Sequence, residues 1–162
     1  MKVLYLLRHA KASEMDASVT DFERSLTDVG RDEAQRIGRW LTKSHARVSL
    51  VVSSSALRAR QTAEVVLRTA SIDVEPLFDT RIYEASVNTL VKVVNELPDD
   101  EGSVMLVGHN PGMAELLSFL SRTPRQMPTC ALAQILVNCS KWKEVETNSG
   151  RLDWIVVPRD LP

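Results

Sequence analysis

Cysteine is scarce in this chain. Cys130 and Cys139 are the only two in 162 residues. They cannot build a disulfide framework, and neither stands in a C-x-x-C or metal-ligand spacing, so reduced thiols and a cytoplasmic setting are expected. Long apolar runs are missing too: no stretch approaches the length of a membrane span, and Met1-Lys2-Val3 leads into a short apolar segment rather than a signal peptide. No membrane partner is therefore expected. Nor is there a surplus of charge, with 20 Lys and Arg against 21 Asp and Glu. A net charge of -1 gives no global positive field to attract nucleic acid, so any affinity for anions must be local. Internal repeats, low-complexity tracts and linkers are absent. With 44% hydrophobic residues, the chain reads as one domain over residues 1–162, and with no amphipathic seam left over, as a monomer.

What is present is an alternation of short strands and amphipathic helices. Val3 to Leu7 is a continuous apolar run, as suits a strand buried on both faces. Thr27 caps a helix whose Ala34, Ile37 and Leu41 share one side. Leu50-Val51-Val52 is the next strand, followed by Ser53-Ser54-Ser55 and a helix with Ala59, Ala63, Val66 and Ala70 facing inward. Ser86 caps a helix carrying Leu90, Val93 or Val94, and Leu97, which Pro98 stops. Val104 to Val107 forms a third buried strand, turning at Gly108-His109 into a helix with Asn110 as cap and Pro111 at its first position. Ala131 to Val137 and Leu152 to Val157 close the chain as strands. This order predicts an α/β fold, a three-layer α/β/α sandwich around a mostly parallel sheet with an antiparallel C-terminal edge.

Open α/β sheets bind ligands beyond the carboxyl ends of their strands. At three such ends this sequence places Arg8-His9, then Ser53 to Arg58, then Gly108-His109. Each alone has a plain structural reading: solvated polar residues, a salt bridge at a helix start, a turn histidine. Brought together, two imidazoles and two guanidiniums would repel one another unless an anion sat between them, and arginine forks match phosphoryl oxygens. The sequence has no C-x5-R thiolate loop, no DxDx[TV] aspartyl nucleophile, no GxxxxGK[ST] phosphate loop and no convincing two-metal spacing. A histidine nucleophile remains. His9 suits it, because neighbouring cations disfavour its protonated form, and no metal cofactor is needed where arginines supply the charge.

The pattern LLRHAKA…DFERSLTDVG…SSSALRARQTAE…VGHNP resembles the histidine phosphatase superfamily, the phosphoglycerate mutase-like group, and within it the small SixA-type phosphohistidine phosphatases. The resemblance implies a phosphoglycerate mutase-like fold, here without a large helical lid. It also implies a phosphohistidine intermediate on His9 and a phosphate pocket of Arg8, Arg58 and His109. Asp21, Arg24, Leu26, Thr27 and Gly30 match a D-x-x-R-x-L-T-x-x-G segment, expected mainly to start the first helix. Ala10 stands where the group commonly has glycine, which requires backbone angles an alanine can adopt. For the proton donor, Phe78 to Ser86 offers Asp79 and Glu84, with Glu84 favoured slightly. A weak acid suits phosphohistidine, whose imidazole leaves readily, better than an alkoxide leaving group. The expected substrate is thus a phosphorylated protein; a small phosphate ester is the alternative, and a non-catalytic phosphate-binding module is a third reading.

Overall fold

A computed structural model describes residues 1–162. Strand β1 (Lys2–Arg8) leads through α1 (Asp28–Lys43) to β2 (Leu50–Ser53), and α2 (Leu57–Ala70) leads to β3 (Leu77–Phe78). Then α3 (Val87–Asn95), β4 (Ser103–Gly108), α4 (Gly112–Ser121), β5 (Leu132–Val137) and β6 (Gly150–Val156) complete the chain. The six strands form one sheet in the order β3-β2-β4-β1-β5-β6. The first four run parallel, and β5 and β6 add an antiparallel edge.

Strand alternation divides the core in two. Leu4, Leu6, Val104 and Leu106 pack with Leu90 and Val94 of α3 and Leu116 and Leu117 of α4. Tyr5, Leu7, Met105 and Val107 pack with Ala34, Ile37 and Leu41 of α1 and Ala59, Ala63 and Val66 of α2. The result is the three-layer sandwich. No helix is long and apolar enough to cross a membrane.

Two helix starts form as the sequence dictates. Thr27 Oγ1 accepts from Gly30 N–H at 3.0 Å, and Ser86 Oγ accepts from Thr89 N–H at 3.2 Å. The start of α4 departs from expectation. Asn110 does not cap it, because its amide donates instead to Met127 O at 2.8 Å, and Pro111 takes the cap position without a side-chain bond. The edge strand β3 carries no sequence signal, being two residues long with both side chains exposed. β5 begins one residue later than expected, and β6 begins two residues earlier.

Sheet register aligns the strand ends. Arg8 lies opposite Gly108, and Ser53 opposite Val107, so β1, β4 and β2 end level with one another. The segment leaving β1 is fixed from two sides. Ala10 N–H donates to Thr62 Oγ1 at 2.9 Å, and Thr62 in turn donates to Arg58 O within α2. On the α1 side, a Cβ built on Gly30 would meet Lys11 O at 2.1 Å. Alanine in a helix gains about 1 kcal/mol over glycine from propensity, but a backbone clash of this depth outweighs it. Gly30→Ala is therefore expected to destabilise the protein by about 2 kcal/mol or more, read from urea denaturation. Gly102→Ala, with nothing within 4 Å of the new Cβ, should stay within about 0.5 kcal/mol of wild type; equal effects would refute this packing account.

Candidate active site

Three residues beyond β1, β2 and β4 converge with the end of β1 itself. His9 follows Arg8 and anchors to the neighbouring strand through His9 N–H to Gly108 O, 3.0 Å. The His9 and His109 rings stand 5.1 Å apart between centroids, tilted at 53°. Arg58 projects from the first turn of α2, and Arg8 from the last residue of β1. His9, Arg58 and His109 are only 8%, 6% and 9% exposed. The structure thus brings together all four residues of the expected cluster.

The imidazoles relieve the charge by staying neutral. Burial is the main force lowering His9, to about 4 from 6.5; its bond to the Ala10 carbonyl opposes this, and Arg58, Arg8 and Arg24 push further down. His109 falls to about 3, first from burial and then from His9 and Arg58. The tautomer of His9 follows from its partner. Nδ1 lies 2.7 Å from Ala10 O, which can only accept, so Nδ1 carries the proton and Nε2 of the neutral ring keeps its lone pair. His109 Nε2 sits 2.7 Å from Ser54 Oγ. Ser54 already accepts from Ala56 N–H, so its hydroxyl can donate to Nε2 and leave Nδ1 as the N–H of His109.

One carboxylate organises the guanidiniums. Asp21 accepts from Arg58 Nη2 at 3.1 Å and Arg24 Nη1 at 2.7 Å, while its backbone carbonyl accepts from Arg58 Nη1 at 2.7 Å. The Tyr83 hydroxyl also donates to Asp21 Oδ2. These bonds, Tyr83's foremost, hold Asp21 well below the usual carboxylate range, and the Tyr83 phenol is pushed up to about 12. Tyr83 packs edge-on against His109 at 5.5 Å and lies under Arg58 at 5.9 Å. The Asp21 segment therefore does more than start α1: Thr27 and Gly30 serve the helix, whereas Asp21 and Arg24 reach back into the cluster.

Despite these bonds, Nε of Arg8, Nε of Arg58 and Nδ1 of His109 are buried without any hydrogen-bond partner. Unmet buried donors are costly, and these three belong to residues of the cluster; Trp40 Nε1 and Asn110 Oδ1 are buried without a partner as well.

The two carboxyl candidates separate. Asp79 is committed to Arg81, which it meets at 2.8 Å and whose bonds hold it below its ordinary range. Glu84 is exposed, with a left-handed φ of 53°, next to Tyr83 at the rim. Ala10 has no left-handed φ, so alanine fits where the relatives' glycine was expected. Ser54, Thr62 and Tyr83 escaped the sequence reading as site residues. The serine run could have suggested Ser54, and a threonine on the buried side of α2 could have suggested Thr62; nothing marked Tyr83. No group of three or more His, Cys, Asp or Glu is placed to hold a metal ion.

A family model for the histidine phosphatase superfamily (branch 1) matches residues 4–93, more than half of the chain. The chain belongs to the histidine phosphatase superfamily. Among superfamily relatives, the uncharacterized protein Rv1276c of Mycobacterium tuberculosis (strain ATCC 25618 / H37Rv) is 31% identical, over 94% of this chain and 100% of its own length. The phosphohistidine phosphatase SixA of Escherichia coli (strain K12) is 26% identical, over 98% of this chain and 95% of its own. The solved structure of the protein histidine phosphatase SixA complexed with tungstate has the same fold, with a TM-score of 0.84 at 23% identity, covering 98% of each chain.

The neutral histidines give a signature in stability. The unfolded chain takes up protons as pH falls below about 6.5, but native His9 and His109 resist until about 4 and about 3. Their contribution is thus complete above pH 6.5 and is lost as pH falls towards 4 and below, at up to about 1.4 kcal/mol per pH unit for each. Urea titrations between pH 7.5 and 4.5 should show a steeper acid loss for wild type than for the doubly substituted His9→Asn, His109→Gln protein. Parallel curves would mean that these imidazoles titrate normally.

Proposed function

We propose that the protein removes the phosphoryl group from phosphohistidine on another protein, through a phosphohistidine intermediate on His9. The observation that carries this reading is the state of His9. Its Nδ1 is occupied by the Ala10 carbonyl, its Nε2 lone pair is free, and its ring stays neutral among cations. That is what a nitrogen nucleophile for phosphorus requires.

In the proposed reaction the substrate phosphoryl group fills the space among Arg8, Arg58 and His109, and the three unpartnered N–H groups donate to its oxygens. His9 Nε2 forms the new P–N bond as the substrate's P–N bond breaks. The electron pair of that bond returns to the leaving imidazole, which takes up a proton from solvent. The guanidiniums and His109 act mainly by holding charge that spreads over the equatorial oxygens in the transition state. Water then attacks from the vacated side, the P–Nε2 electrons return to His9, and phosphate leaves carrying the new P–O bond.

The choice of phosphohistidine over an ester rests on the surrounding acids. Asp21 is ionised and fully engaged, and Asp79 is tied to Arg81. Glu33, whose charge acts on Arg8, accepts from Lys11 N–H and Thr129 Oγ1, and Glu84 is exposed rather than buried against the cluster. An imidazole leaving group tolerates that arrangement, whereas an alkoxide needs a well-placed donor. The kinship with SixA of Escherichia coli points the same way.

Phosphate release from a histidine-phosphorylated protein and from p-nitrophenyl phosphate tests the reading. Wild type should favour the phosphoramidate, and His9→Ala should lose at least about a thousandfold on both substrates. Glu84→Gln should slow the ester more than the phosphoramidate. A better rate on the ester would sink the phosphohistidine assignment, and an unchanged His9→Ala rate would sink the nucleophile.

A further inference from the structure

Beside the cluster a groove of about 700 Å³ opens between the start of α4 and the loop at its far end, lined among others by Arg8, Asn110, Pro111, Ala114, Arg125 and Met127. It is far larger than a phosphoryl group needs and lies in the range of sites that take drug-sized ligands, about 300–1,000 Å³. Arg8 belongs to both the groove and the phosphate cluster, so the groove adjoins a phosphoryl group held by Arg8.

The groove is preformed. Arg8 Nη1 and Asn110 Nδ2 both donate to Met127 O, at 3.0 and 2.8 Å, and the Met127 side chain is buried in the core. The 122–128 loop is therefore pinned at its far end to β1 and to the residue after His109. Two crossing donors on one carbonyl, plus an anchored side chain, make this wall rigid although it is a loop.

Its charge is one-sided. No carboxylate lines the groove. Arg125 is exposed and enters no ion pair, and Arg122, three residues earlier on the same loop, is likewise exposed and unpaired. Arg8 and Arg125 are the only charged residues lining the groove, over an apolar floor of Pro111 and Ala114. A preformed apolar floor whose only lining charges are two arginines favours an extended acidic partner over a small neutral one.

We propose that this groove docks the acidic polypeptide segment flanking the phosphohistidine of the substrate protein, with Arg125 as its principal specificity residue. The proposal rests on the phosphohistidine reading above. Docking there acts on substrate capture and leaves the chemistry at His9 to the cluster, so its effect falls on KM.

Three phosphoramidates test it: a histidine-phosphorylated peptide flanked by Asp and Glu, the same peptide flanked by Ser and Gln, and phosphoramidate itself. Wild type should turn over the acidic peptide with a kcat/KM about tenfold above the neutral one, the difference lying in KM. The preference should shrink in about 0.5 M salt, as screening requires. Arg125→Glu should erase the preference and keep phosphoramidate turnover within about twofold of wild type. Equal wild-type rates on the two peptides, or a parallel loss on all three substrates in Arg125→Glu, would overturn the proposal. Hydrolysis of p-nitrophenyl phosphate with no turnover of any phosphoramidate would refute the phosphohistidine reading instead, and the groove assignment would fall with it.

Discussion

Positive charge crowded at the ends of three adjacent strands is the constraint around which this molecule is arranged. Arg8, Arg24 and Arg58 all lie close enough to His9 to depress its protonation, and His109 sits 5.1 Å away. Burial keeps both imidazoles neutral, and one carboxylate, Asp21, binds two of the guanidiniums. What remains uncompensated is a set of N–H donors with nothing to bond. The same crowding that would destabilise an empty cluster suits it to an anion, because charged N–H donors bond anionic oxygens strongly.

Holding such a cluster requires a stiff frame. Register places β1, β4 and β2 so that they end level, and the chain leaving β1 is fixed by Thr62 on one side and by the close approach of Gly30 on the other. Thr62 matters twice over, because it accepts from Ala10 and donates to Arg58 O, coupling the residue after His9 to the helix that carries Arg58. The bond that sets the His9 tautomer is made by Ala10 itself, so the backbone that positions the ring also determines which nitrogen is free. Position and reactivity of the proposed nucleophile share one cause.

Much of this could be read from the chain order. Continuous apolar runs marked β1 and β4, because strands buried on both faces leave no alternation to obscure them. Thr27 and Ser86 announced their helices through local hydrogen bonds, which sequence neighbours can predict. Arg8, His9, Arg58 and His109 were legible because each follows a recognisable strand and the topology rule for α/β sheets does the rest. The failures share a different character. Asp21 meets Arg58 and Tyr83 across 37 and 62 residues, and Ser54 meets His109 across 55. Nothing local predicts pairings at that separation. Asn110 was misread for the same reason: it had a good local use as a helix cap, but Met127 O, 17 residues away, took its amide. β3 was invisible because two exposed residues carry no periodicity.

The central claim is that His9 is a neutral imidazole protonated on Nδ1, with Nε2 free to attack phosphorus. Nitrogen-15 NMR of imidazole-labelled protein at pH 6, read against a His9→Gln variant to assign the signal, addresses it directly. The account predicts a neutral ring with a pyrrole-like Nδ1 and a pyridine-like Nε2, persisting as the pH is lowered until about 4. An imidazolium at pH 6, or a ring protonated on Nε2, would contradict it.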